Sequence, residues 1–252
     1  LEVVSGGCLA MESCFVEGGE GAGGGAVRVT GSVSAEQSSM QSSKQSGLVV
    51  CSGGRVELEH VTLNSCGLNG VRVEGTCSVL SAVHCSMNGC QKGNVVVKDG
   101  ASACMRHCSG DDSKELHGWS VSGQGSRLEV YDSTASHNKG GAVCKGGATA
   151  SLSSVTACEN GHDGVCVSGQ GSRMEVRDST ASSNQWNGAA VMEGASASLD
   201  GVTAGENGFD GFNVNGRGSS IASTSCSTSN NGTSGAGCRE GASARLVSIT
   251  TS

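Results

Sequence analysis

One frame recurs along this chain: a glycine, an apolar residue, a spacer, Val or Cys, a small-residue stretch, an apolar pair, Thr, a small residue and Asn. It opens at Gly47, Gly70, Gly93, Gly118, Gly141, Gly164, Gly188, Gly211 and Gly235, at spacings of 23, 23, 25, 23, 23, 24, 23 and 24 residues. A period of this size marks a solenoid, because a unit this short buries its apolar side only against its neighbours. The unit 141–163 reads GAVCKGGATASLSSVTACENGHD and contains three alternating runs. Their inward sets are Ala142 and Cys144, then Ala148, Ala150 and Leu152, then Val155 and Ala157. Gly146, Gly147 and the Glu-Asn-Gly at 159–161 form corners.

Three short strands and three corners per unit predict an all-β, right-handed parallel β-helix of about 10–11 rungs of ~23 residues. The chain reads as a single domain over 1–252, with less regular rungs over 1–46 and regular ones over 47–252. The Ser/Gln-rich stretch at 32–46 reads as a polar corner of the same domain. Both ends fall inside a repeat, which points to a processed chain or a fragment. Leucine-rich repeats need more Leu than is present, and hexapeptide helices need a shorter coil. Composition agrees: there is no Pro, aromatics are 2%, and no stretch keeps helical apolar spacing. The core is expected to be thin and built from Val, Leu, Ala, Ser and Cys.

A net charge of −7 with no Lys/Arg cluster argues against a nucleic-acid partner. No apolar run approaches the ~20 residues of a membrane-spanning helix. Extracellular and organelle-lumen settings both suit the chain, and the sequence does not choose between them.

Asn88, Asn138, Asn160, Asn184, Asn207 and Asn231 are expected to stack as an internal ladder, each amide bonding to the rungs above and below. With the rung pattern, this ladder resembles the pectate-lyase-like β-helix superfamily over essentially the whole chain. Many enzymes of that superfamily cut or epimerise acidic polysaccharides. The resemblance implies paired acids for its hydrolases, and Asp111-Asp112 matches such a doublet. His117, His162 and Asp163 are the other candidates of that kind, with Asp210 in the column of His117 and Asp163. The Gly-His-Gly and Asn-Thr-Asp segments of the hydrolases are missing, as are the basic residues that lyases place beside a calcium ion. Large aromatics for stacking sugar rings are nearly absent. Turn chemistry alone also accounts for Asp-Asp in a loop.

A second order of repetition sets 118–163 beside 164–210 as close copies. It alternates Arg127 and Arg173, and Glu129 and Glu175, with uncharged rungs, so that like charges lie ~10 Å apart. Thr62, Thr134, Thr156, Thr180, Thr203 and Thr250 form an outward column interrupted by His84. Such an array can bind ice, although the β-branched preference of exposed strands also explains it. The fourteen cysteines include Cys66 and Cys90, and Cys85 and Cys108, spaced to stack. Free buried thiols are favoured over a disulfide framework, and no metal or cofactor pattern is present. The first strand places Val49, Cys51, Val95, Val97, Val143, Cys166, Ala190 and Met192 outward, a candidate docking face. The first functional reading is therefore a non-catalytic scaffold or accessory subunit that binds protein partners. The alternative is a polysaccharide-active enzyme (hydrolase, lyase or epimerase) or carbohydrate-binding module, with ice binding third.

Overall fold

In the computed structural model, which describes residues 1–18, 25–42 and 44–251, each lap of chain lies on the one before it. Sheet one has eleven parallel strands, running from Glu2–Val3 to Ser234–Arg239. Sheet two also has eleven, from Cys8–Glu12 to Ser243–Val247. The third face is thinner. It begins as the pair Phe15–Gly18 and Ser39–Ser42 and ends as Thr203–Gly205, Ser227–Ser229 and Thr250–Thr251. Between them it is reduced to single bridges through Thr62, Ser86, Ser109, Thr134, Thr156 and Thr180. No helix occurs among the described residues, and none is long and apolar enough to cross a membrane.

The bridge register gives the true lap lengths. From Ser39 onward the third face advances by 23, 24, 23, 25, 22, 24, 23, 24 and 23 residues. The long lap is followed directly by the short one, so one inserted residue is compensated one lap later. Sheet-one pairing aligns Val95 with Val71 and with Trp119. The frame position before Val95 is therefore Asn94, where the repeat spacing places Gly93.

This slip corrects part of the expected docking face. Val95 and Val97 point into the core and are buried; the outward residue there is Val96. Val49, Cys51 and Ala190 are outward by register yet also buried. Only Val143, Cys166 and Met192 of the set are half-exposed. They share the sheet with Arg72, Glu74, Lys98 and Lys145, so the described residues of this sheet form no continuous apolar face. The Thr column is likewise interrupted by Ser86, Ser109 and Ser227, not by His84.

The core column of sheet one runs Val71, Val95, Trp119, Ala142, Val165, Ala189, Phe212, Ala236. Its two large aromatics, Trp119 and Phe212, are fully buried. Each has Ala on the following lap, which keeps the summed volume of a thin core near constant. A Cβ at Gly110 would meet the Trp119 ring at 3.0 Å, so a larger residue there would press on the buried indole.

Two columns of left-handed residues turn every lap. Gln37, His60, His84, His107, Asp132, Ser154, Asp178 and Ser225 follow sheet two, with φ between 45° and 54°. Ser65, Asp112, His137, Glu159, Ser183, Glu206 and Asn230 turn the bend after the third face, with φ between 52° and 58°. None is β-branched, as expected where Cβ crowds the following carbonyl. Proline is excluded along the ladders because nearly every N–H is needed.

The asparagine column stands in single file. The side-chain oxygen of Asn184 accepts from the backbone N–H and the amide of Asn160, both at 3.0 Å. Asn207 serves Asn184, and Asn231 serves Asn207, in the same way at 3.0 Å. Asn138 takes part through its N–H, which donates to Asn160 at 2.9 Å. Asn88 does not belong to this file. It lies two residues earlier in the bend, where its oxygen accepts from the Asp111 N–H at 2.8 Å and its own N–H donates to Asn64 at 2.6 Å. Matching by residue type placed it in the ladder; counting from the bridge residue removes it.

Candidate functional site

The bend between the third face and sheet one varies most from lap to lap and collects the unusual side chains. One position before the frame glycine, His117 pairs in register with Gly140. Asp163, Asn187 and Asp210 continue that column. Gly140 has no side chain, and a Cβ there would lie 2.8 Å from His117 Nδ1. The imidazole therefore lies over this glycine and leans toward the next lap. Its Nδ1 is buried with no protein partner. Burial, reinforced by the fields of Lys145, His162 and Lys139, holds the ring's pKa down to about 4, so it is neutral at physiological pH.

Below it, Asp163 is buried, and burial pushes its carboxyl up despite two hydrogen bonds from Asn187. Asn187 donates to Asp163 Oδ1 from its side chain at 2.8 Å and its backbone at 3.1 Å, and accepts from the Asp210 N–H at 3.1 Å. Asp210 in turn accepts from Asn213 at 2.8 Å and from Arg239 at 2.5 Å. A polar row thus runs along the solenoid axis from His117 to Arg239.

Beside this row lies an aromatic shelf. His162 stacks on Trp186 with centroids 4.4 Å apart and planes 19° from parallel. Phe209 meets Trp186 edge-on at 6.4 Å. Trp186 is 46% and Phe209 52% exposed; the other exposed large apolar side chains among the described residues lie on the first and last laps, except Leu116, which precedes His117. Trp186, Phe209, Asn213, Thr233 and Arg239 border an open cleft of ≈ 500 Å³ floored by Asn187 and Asp210.

The candidate residues thus divide. His117, His162 and Asp163 share the site. Asp111 is occupied at the start of the bend, where its oxygens accept from Thr134 Oγ1 at 2.7 Å and the Ser136 N–H at 2.6 Å. Asp112 is the left-handed turn residue of its lap. Trp186, Phe209, Asn187, Arg239, Lys139 and Lys145 were missed. The expectation that aromatics for sugar stacking are nearly absent is corrected here: few aromatics exist, but two share one corner. The signal was available, since Lys139, His162, Trp186 and Phe209 each stand two residues before a frame glycine. No group of three His, Cys, Asp or Glu among the described residues converges as a metal site.

The family described as "Right handed beta helix region" matches residues 23–155 and 117–250. The chain belongs to that family. The handedness of this β-helix follows, and it agrees with the rule for parallel crossovers. Its fold is similar to the periplasmic alginate epimerase AlgG, at 10% identity and TM-score 0.63, covering 100% of this chain and 76% of that one. The Azotobacter vinelandii mannuronan C-5 epimerase AlgE6 A-module gives 14% identity and TM-score 0.54, covering 90% and 77%. Pectate lyase Pel9A gives 12% and 0.51, covering 99% and 69%. At these identities the likeness is one of fold. None of the curated proteins matches the β-helix in sequence.

Proposed function

We propose that this β-helix binds a polysaccharide laid along the bend, with sugar rings on the His162–Trp186–Phe209 shelf and their hydroxyl or carboxylate groups on the polar row. The exposed, stacked His162–Trp186 pair is the observation that carries this reading. An exposed aromatic face beside convergent polar groups suits an amphipathic ring, which has apolar faces and a polar rim. The rung repeat of ~4.8 Å is close to the length of one sugar unit, so a linear glycan matches the row's direction. The similar structures are named for alginate, mannuronan and pectate, all acidic sugars, and Lys139 and Lys145, whose fields reach His117, offer the matching charge.

Binding is favoured over catalysis by two features of the site. Neutral His117 is available as a base, but a ring held near 4 is a weak one. The Asp111–Asp112 doublet is committed to the bend. The scaffold reading loses its ground, because its apolar face is interrupted by charge.

The test is titration with alginate, polygalacturonate and a neutral glucan, followed by calorimetry and tryptophan fluorescence. Trp119 is buried, so Trp186 is the tryptophan that a ligand reaches. Trp186→Ala should weaken binding about tenfold or more with unchanged far-UV circular dichroism. Equal binding by the variant, or no binding of any of the three glycans, overturns the proposal.

A further inference from the structure

Three of the six histidines lie far from this bend, in the left-handed column after sheet two. His60, His84 and His107 occupy consecutive laps with φ of 51°, 52° and 51°. Identical backbone geometry stacks their rings: centroids are 4.9 and 4.8 Å apart, and planes lie 6° and 11° from parallel. All three are exposed. The turn does not require imidazole, since Gln37, Asp132, Ser154 and Asp178 serve it on other laps.

We propose that His60 and His84, with Glu59, bind one borderline divalent cation such as Zn²⁺ or Ni²⁺. Imidazole nitrogen is the ligand these ions favour, at about 2.0–2.1 Å, so a tetrahedral ion needs two nitrogens about 3.3 Å apart. Neighbouring rings, 4.9 Å apart with near-parallel planes, reach that separation only by swinging out of the stack so that both in-plane lone pairs point at one ion, which their exposure permits. The outer rings, two laps apart, do not. His84 can serve only one neighbour at a time, so the triplet takes a single ion. The charges at its two ends choose the pair. Glu59 Oε1 already lies 3.9 Å from His60 Nε2 and supplies an anionic third ligand. Asp132 continues the column beyond His107, but Arg106 stands beside that end, its guanidinium over the Tyr131 ring at 4.5 Å, and opposes a cation there. The rings stack rather than converge in the metal-free chain, so the site closes on the ion by rotation of exposed side chains.

Zinc chloride titrated calorimetrically into the untagged chain, its accessible thiols alkylated first, tests this. One equivalent should bind. His84→Asn and His60→Asn, which keep a residue tolerant of positive φ, should each weaken binding about tenfold or more, and His107→Asn less than about threefold. Proton NMR of the imidazole ring should show the His60 and His84 signals shifting together. Absence of binding, undiminished binding by His84→Asn, or a loss in His107→Asn matching that in His60→Asn overturns the assignment.

Discussion

The inner corner of the bend is built from different chemistry in the two halves of the solenoid. Four residues after the bridge position, the later laps carry Asn138, Asn160, Asn184, Asn207 and Asn231, whereas the earlier ones carry Cys66, Cys90 and Ser113. An amide accepts from the neighbouring lap's N–H and donates a bond of its own, so each lap closes the next. A thiol does neither well. Cys66 and Cys90 instead direct their sulfurs at one carbonyl, that of Leu63, at 3.6 and 3.5 Å. The neighbouring Cys66 thiol, together with burial, pushes Cys90 well above its ordinary value. The N–H of Cys90 is served from elsewhere, by Asn94 Oδ1 at 3.3 Å. The Asn94 amide also donates to the Asp111 carbonyl at 2.8 Å and to Asn138 Oδ1 at 3.1 Å. The residue that breaks the glycine frame is thus the adapter that joins the thiol half to the amide half. The same corner can be closed by a repeating polar contact or by a single bridging side chain, and only the first propagates.

Removing a ladder amide should have the largest effect. Asn184→Ala takes away the acceptor for the Asn160 N–H and two donors, to Asn207 Oδ1 and the Ala157 carbonyl at 3.1 Å. All these groups are buried, and unpaired buried groups cost about 1–3 kcal/mol each. The expected loss is about 3–4 kcal/mol, partly offset where water enters. It is read as a lowered urea midpoint, with the later laps melting ahead of the earlier ones. Unchanged unfolding would mean that the ladder contributes no more than the thiol corner does.

The junction between the halves should respond to acid. His117, on the last lap before the ladder begins, is held near 4 in the fold against an ordinary 6.5. The unfolded chain therefore binds the proton first as pH falls. Stability is complete above about 6.5, declines as pH drops toward 4, and levels below it. Allowing for the ring's partial exposure, the loss is about 2–3 kcal/mol. Asp163, raised by burial, works in the opposite sense, taking up its proton in the fold before the unfolded chain does as pH falls toward the ordinary carboxylate value. His117→Gln should flatten the decline between pH 6.5 and 4 in thermal melts; an unaltered acid limb would assign it to other groups.

The sequence showed the solenoid because the period repeats often enough to survive local slips. It hid what depends on register. Sheet one advances by 24 and 24 residues from Val71 through Val95 to Trp119, so the glycine at 93 lies one residue before the frame position, which Asn94 holds. In a strand one residue reverses the side-chain direction. That is why Val95 and Val97 were expected outside and are found inside. Asn88 was grouped by identity, though its distance from Ser86 sets it beside Asn64 and Asp111. The polar row was partly visible, since His117, Asp163 and Asp210 share a column in the sequence. The shelf next to it was not, because His162, Trp186 and Phe209 share shape and position rather than residue type. The rotation of His117 over Gly140 needed coordinates, since it depends on one side chain filling the space another lap leaves empty.

The smallest effect should come from the thiol half, and it tests the comparison most directly. Cys90→Ala removes a sulfur whose contacts, to Leu63 and Asn88 carbonyls at 3.5 and 3.7 Å, are long and weak. Carbonyls tolerate a missing partner better than an N–H does. The backbone N–H keeps Asn94, so no donor is stranded. What remains is a small loss of packing, about 1 kcal/mol, for a change of one heavy atom in a tight corner. Measured by urea unfolding beside Asn184→Ala, the two costs should differ about threefold. A Cys90→Ala loss as large as the asparagine one would show that paired sulfurs close the corner as firmly as amides, and would remove Asn94 from its role as the adapter.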